Sequence, residues 1–263
     1  MDTKRKWASC TRGWILRGTS DGSTATGLAA PQARPGSARA PTTPTPGSKP
    51  HAPWPARVRV AVNRGLGHAA CKPLVFALAA LPMARLVWAA ATNGLGANPV
   101  ETLIRATGDW TLWMLCMTLA VTPLRQATGW HALARLRRML GLFSASYAGV
   151  HVLAFAGLDL GFDLHALVAD IAKRPFILAG ATAFVLMMAL ALTSNAAAVR
   201  ALGALRWQRL HQTVYAIAGL GLLHFYWMRA GKNDLAEVTV VGLIVAALLG
   251  WRLTRWLRGR ARR

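Results

Sequence analysis

Apolar residues gather into long runs only after about residue 72. Six such segments follow, at roughly 73–92, 108–124, 139–159, 176–193, 210–228 and 235–252. At a rise of about 1.5 Å per residue, some 20 residues cross a hydrocarbon core of roughly 30 Å. The second, fourth and sixth are short for a span, and flanking Thr, Trp and Arg residues complete them at the interface. The predicted architecture is an all-α integral membrane bundle of six transmembrane helices. No internal repeat is apparent.

The polar residues between these runs set the orientation, because Lys and Arg collect on the cytoplasmic side. Arg57, Arg59, Arg64 and Lys72 precede the first helix, and the second connector holds Arg125, Arg135, Arg137 and Arg138. The fourth holds Arg200, Arg206 and Arg209, and the tail adds six arginines from Arg252 to Arg263. The alternate connectors are poorer in positive charge. The first has only Arg105, the third has Lys173 and Arg174 against Asp159, Asp163 and Asp170, and the fifth has Arg229 and Lys232. Both termini are therefore predicted to be cytoplasmic, with three short connectors in the periplasm of a bacterial inner-membrane protein.

The start of the chain is different. From Ala30 to Pro55 it is crowded with Pro, Gly, Ser, Thr, Ala and Arg. Such a segment buries too little apolar surface to offset its ordering entropy. Residues 1–60 are expected to be a disordered basic extension, either genuine or created by a start codon assigned too far upstream. They lack the apolar core of a secretory signal. The domain proper is expected over residues 72–258.

Composition supports the membrane reading. The 263 residues are 54% hydrophobic and only 15% charged, where a soluble domain carries roughly a quarter charged residues. The balance of 31 Lys plus Arg against 9 Asp plus Glu gives a net charge of +22. A nucleic-acid-binding protein is excluded, because the positive residues punctuate apolar segments and do not line one polar face. The partner implied is membrane lipid. Cys10, Cys71 and Cys116 form no C-x-x-C pair and no C-x-x-C-H signature, which excludes covalent c-type haem and a Cys-rich zinc or iron–sulfur site.

Ionisable residues inside a membrane are costly and point to function. Of seven histidines, His51, His68, His131 and His165 fall outside the six segments and read as ordinary polar positions. His151 lies in the third segment, and His211 and His224 lie in the fifth. Neutral imidazole is a good axial ligand for haem iron, and a bundle interior suits a large apolar cofactor. The third and fifth helices run in the same direction, and the depths of His151 and His224 differ by roughly 5 Å. They are therefore paired as axial ligands of one b-type haem. His211 lies about 20 Å deeper toward the cytoplasm, and thirteen residues turn it some 140° away from His224 on a straight helix. A kink at Gly219 or Gly221 would change that angle. A second haem, a flavin and a quinone are all open as its contact.

Small residues at Ser144, Ala148 and Gly221 suit either a flat cofactor or ordinary helix packing. Arg85, inside the first helix, is expected to snorkel outward or to meet a propionate.

At this point the chain resembles a known family. From about Leu81 to Arg258 it is similar to the MsrQ (YedZ) family of the ferric-reductase-like transmembrane superfamily. The motifs are Leu86-Val87-Trp88, Gly94-Leu95-Gly96-Ala97-Asn98-Pro99-Val100, Thr122-Pro123-Leu124 and Arg137-Arg138-Met139-Leu140-Gly141-Leu142. Tyr147 with His151, Arg174-Pro175-Phe176, Ala191-Leu192-Thr193-Ser194, Arg206 through Tyr215, and His224-Phe225-Tyr226-Trp227 complete the set. The resemblance implies an electron-transfer subunit. Such a subunit takes electrons from quinol or a reduced flavin through haem b to a periplasmic molybdopterin-containing methionine-sulfoxide reductase catalytic subunit, which reverses methionine oxidation. It also implies that His151, His211 and His224 are the haem histidines and that FMN is associated. For the FMN phosphate, Arg135, Arg137, Arg138, Arg206 and Arg209 are the available contacts. Catalytic sulfoxide reduction is expected on the partner. Two other readings fit the same helices: a ferric-reductase-type cytochrome with another acceptor, and a haem-free transporter or anchor.

Overall fold

The computed structural model describes residues 55–231 and 235–261. Cys10, His51, Lys232, Arg262 and Arg263 lie outside them. The described chain is all-helical, with no strand among the described residues. Its helices are α1 (Ala56–Gly67), α2 (Cys71–Ala91), α3 (Pro99–Thr128), α4 (Ala134–Ala154) and α5 (Leu164–Lys173). Then come α6 (Pro175–Leu192), α7 (Ala196–Leu202), α8 (Ala204–Gln212), α9 (Val214–Ala230) and α10 (Ala236–Arg260). A 3₁₀ turn, His131–Leu133, leads into α4, and a wide π turn, Phe155–Asp159, follows it.

Four stretches are long and apolar enough to cross a membrane: α2, the run His131–Asp159 around α4, α6, and α10. Their outward residues stay bare. Trp88 is 72% exposed, Val185 66% and Leu192 76%, a surface suited to lipid and not to water. The other two expected segments correspond to α3 and α9. At 17 residues, α9 is the shorter because the chain breaks at Thr213. α3 has 30 residues but is rich in threonine. Its hydroxyls donate to carbonyls one turn back, Thr107 to Leu103 at 2.7 Å, Thr111 to Thr107 at 2.8 Å and Thr118 to Met114 at 2.8 Å. These polar groups are satisfied within the helix. α3 is also the central element, packing on α2, α4, α9 and α10 and burying Leu112, Met114, Leu115, Leu119 and Val121.

Helix starts follow side-chain chemistry. Asn98 caps α3 by accepting the Glu101 N–H at 3.2 Å, its own amide reaches the Glu101 carboxylate at 3.0 Å, and Pro99 occupies the first turn. This is a reciprocal cap of the kind that satisfies orphan donors. Asp163 caps the connector helix α5, and Asn195 caps α7.

Two prolines inside helices are compensated from neighbouring helices. At Pro82 in α2, the Tyr147 hydroxyl of α4 accepts from Met83 N–H at 3.0 Å and donates to Ala79 C=O at 2.9 Å. It is inserted between two groups that an unbroken helix would pair. At Pro123 in α3, the missing N–H orphans the Leu119 carbonyl. Arg252 Nη2 of α10 donates to that carbonyl at 2.8 Å. The same guanidinium lies 5.0 Å from the centre of the Tyr215 ring, and its buried Nη1 has no hydrogen-bond partner among the described residues.

Candidate functional site

The structure brings together two of the three histidines singled out from sequence. His151, near the end of α4, and His224, in α9, face each other with ring centroids 6.2 Å apart and planes at 82°. His151 Nδ1 lies 2.8 Å from the Ile104 carbonyl of α3, and His224 Nδ1 lies 2.7 Å from the Phe176 carbonyl of α6. A carbonyl only accepts, so each Nδ1 must carry the proton. In the neutral ring this leaves Nε2 with a free lone pair, the state a metal ligand requires.

The separation fits an iron between the rings. Ligand nitrogens about 2 Å from a metal, with each ring centre roughly 1 Å farther back, put the centroids about 6 Å apart. Two imidazoles are too few to hold a bare metal ion, and no group of three or more His, Cys, Asp or Glu side chains suited to a metal occurs among the described residues. A porphyrin supplies the other four nitrogens, so the donor set suits haem.

Both rings sit against a glycine. A Cβ on Gly108 of α3 would lie 3.1 Å from His151 Cε1, and one on Gly180 of α6 would lie 2.8 Å from His224 Nδ1. Sequence reasoning missed both glycines, since only the approach of another helix reveals their use. It also missed the ion pairs beside the site. Arg229, one turn beyond His224, binds Glu237 at 2.8 Å and Asp109 at 3.5 Å. The carboxylate of Asp109 thus has a cationic partner within the apolar segment.

His211 is held elsewhere. Its ring stacks on Trp207 with centroids 3.9 Å apart, and its Nδ1 meets the Trp207 carbonyl at 3.1 Å. Its Nε2 lies 3.4 Å from Ser194 Oγ, beyond the end of α6. Trp207 is fixed in turn by its indole N–H donating to Thr193 C=O at 2.9 Å. Between His211 and His224 the helix breaks at Thr213, while Gly219 and Gly221 lie inside continuous α9.

The small residues that suit either a flat cofactor or helix packing make the following contacts. Ser144 is buried and donates to Thr111 C=O at 2.9 Å, Ala148 lies in the core shared by α3, α4 and α6, and the space beside Gly221 is bounded by Leu112. Arg85, His68, His131 and His165 are exposed.

Known proteins show which family the chain falls in. Residues 107–222 match the family model for the ferric reductase like transmembrane component. The chain is 58% identical over 201 residues to a protein of Polaromonas naphthalenivorans named protein-methionine-sulfoxide reductase heme-binding subunit MsrQ, covering 76% of this chain and 92% of that one. A protein of the same name from Bordetella pertussis is 53% identical over 189 residues, covering 72% and 91%. Another, from Xanthomonas axonopodis, is 43% identical over 197 residues, covering 73% and 89%. No solved structure matches. Identity at this level across nearly the whole length of the relatives shows that this membrane protein belongs to the MsrQ family.

Proposed function

We propose that this chain is the b-type cytochrome subunit of a methionine-sulfoxide reductase system. It passes electrons from quinol or a reduced flavin to a periplasmic molybdopterin-containing catalytic subunit. The observation that carries the reading is the His151–His224 pair, two imidazoles at iron-spanning distance with both Nδ1 protons fixed on backbone carbonyls. The printed names of the relatives, heme-binding subunits of protein-methionine-sulfoxide reductase, point the same way. Bound haem supplies a one-electron carrier whose potential depends on its axial ligands and burial. The protein's own work is to hold the two rings, fix their tautomer and exclude water from around them.

Topology follows from the same reading. We take α2, α3, α4, α6, α9 and α10 as six spans with both termini cytoplasmic. The histidine pair then sits in the outer half of the bilayer, on the side of the proposed acceptor. His211 sits on the cytoplasmic side, near Arg137, whose charge acts on it. There it is placed to serve a second haem, a flavin or the donor quinol. FMN, if bound, would find its phosphate contacts among Arg135, Arg137, Arg138, Arg206 and Arg209. Residues 72–258 form the electron-transferring domain, and residues 1–60 are an extension outside it.

The test is to express the full chain with haem supply, purify it in mild detergent, and record a reduced-minus-oxidised spectrum with haem and flavin quantitation. A b-type α-band at near-stoichiometric haem, lost in His151→Ala and His224→Ala, is expected. Well-folded protein without haem would overturn the reading in favour of an anchor or transporter.

A further inference from the structure

The two ligand histidines are seated by the same device on different helices. His151 of α4 bonds the carbonyl of Ile104, and four residues on in α3 stands Gly108. His224 of α9 bonds the carbonyl of Phe176, and four residues on in α6 stands Gly180. The sequence separations of the two hydrogen bonds are 47 and 48 residues. A helical side chain leans toward the N-terminus and covers the turn before its own Cα. The residue at i+4 is therefore the one that would roof the carbonyl at i. Glycine leaves that carbonyl open, and its second lone pair can take a side-chain donor without breaking the helix bond.

The geometry points to Gly108 and Gly180 as positioning residues that set the rotation of the two imidazoles about their metal-binding axes, an inference that rests on the haem reading above. Each ring has one N–H, and that N–H must reach one carbonyl through one glycine gap. The plane of each ring is thereby fixed by a helix other than its own. Because the gaps open on α3 and α6 separately, the planes are set independently, and they stand at 82°. Ring planes so nearly perpendicular give a ferric bis-imidazole haem a strongly anisotropic low-spin EPR signal, whereas near-parallel rings give an ordinary rhombic one. Glycine in a helix interior is otherwise less favourable than alanine, so filling either gap should help the helix while disturbing the ring.

The two sites differ in tightness. At Gly180 the new carbon would fall 2.8 Å from Nδ1 itself, nearer than any real Cβ contact, so the ring must turn and release Phe176. At Gly108 the nearest approach is 3.1 Å, and a shift of a few tenths of an ångström would relieve it. Gly149, two residues before His151, and Gly219, five before His224, have nothing within 4 Å of an added Cβ and serve as controls.

The experiment is EPR of the oxidised holoprotein, with haem content and midpoint potential, for the wild type and for Gly180→Ala, Gly108→Ala, Gly149→Ala and Gly219→Ala. Size-exclusion behaviour of each variant reports folding. A strongly anisotropic wild-type signal is expected. Gly180→Ala should lose that signal or shift it toward rhombic with a changed potential, Gly108→Ala should do so to a smaller degree, and the controls should match the wild type. If Gly180→Ala is not recovered monodisperse, Gly108→Ala carries the comparison. A signal and potential unchanged in both gap variants would overturn the inference, as would equal effects in the controls. Wild-type protein that folds without haem would instead sink the haem reading itself.

Discussion

Arg252 is an arginine in an apolar helix, and its hydrogen bond to Leu119 makes a quantitative demand. The carbonyl it serves is orphaned because residue 123 is proline, so the two residues should be energetically coupled although they lie on different helices. In the native background, Arg252→Met removes a hydrogen bond from a charged donor, a contribution of about 1.5–3 kcal/mol, and strands a carbonyl at a cost of about 1–3 kcal/mol. In a Pro123→Ala background the alanine N–H pairs with Leu119, and the stranding cost disappears. The contact with the Tyr215 ring is lost in both backgrounds and cancels, as does the relief of the buried, unpartnered Nη1. The double-mutant cycle should thus return a coupling of about 1–3 kcal/mol, the stranding cost, while each single effect mixes several contributions. Equilibrium unfolding in mixed micelles with rising SDS fraction, followed by helical circular dichroism, measures all four proteins. A coupling within about 0.5 kcal/mol of zero, the range for independent sites, would refute the account. Haem content should stay unchanged, since Leu119 lies roughly 22 Å along α3 from the carbonyl that holds His151.

Other outcomes follow from the same geometry. His211→Ala should keep the spectrum of the His151–His224 centre, because neither ring nitrogen of His211 reaches that pair; loss of all haem would contradict the separation of the two sites. Tyr147→Phe deletes the hydroxyl bridging Met83 N–H and Ala79 C=O and should lower stability by about 1–3 kcal/mol, read in the same micelle titration. Ser144→Ala removes a buried donor to Thr111 C=O and should cost about 1 kcal/mol with haem stoichiometry intact. A drop in haem in that variant would return Ser144 to the cofactor's border.

The closeness of the His151 and His224 rings was legible because depth in a membrane helix is counted by residue, and two helices running the same way bring equal depths together. The separation of His211 was legible from the same count, reinforced by its rotation. The position of the break was not. Glycines at 219 and 221 are the local signals for a bend, yet α9 passes through both unbroken and the chain interrupts at Thr213. Five of the expected segments fall mainly within α2, α3, α4, α6 and α10, the third running on into the wide turn, but α3 begins nine residues earlier than its segment, at Pro99. The cap at Asn98 and the buried threonines extend it where hydropathy is weak. The compensation of Pro123 by Arg252 and the glycine gaps at 108 and 180 depend on which helix becomes the neighbour, and that is settled only by packing.

The wide turn at Phe155–Asp159 begins four residues after His151. A π turn holds more residues per revolution than the helix before it, and it stands between the helix of His151 and the exposed connector that carries α5. Length changes in that connector can be absorbed by tightening or widening this one revolution, without rotating His151 away from Ile104. The wide turn thus sets that connector apart from the turn of α4 in which His151 bonds Ile104.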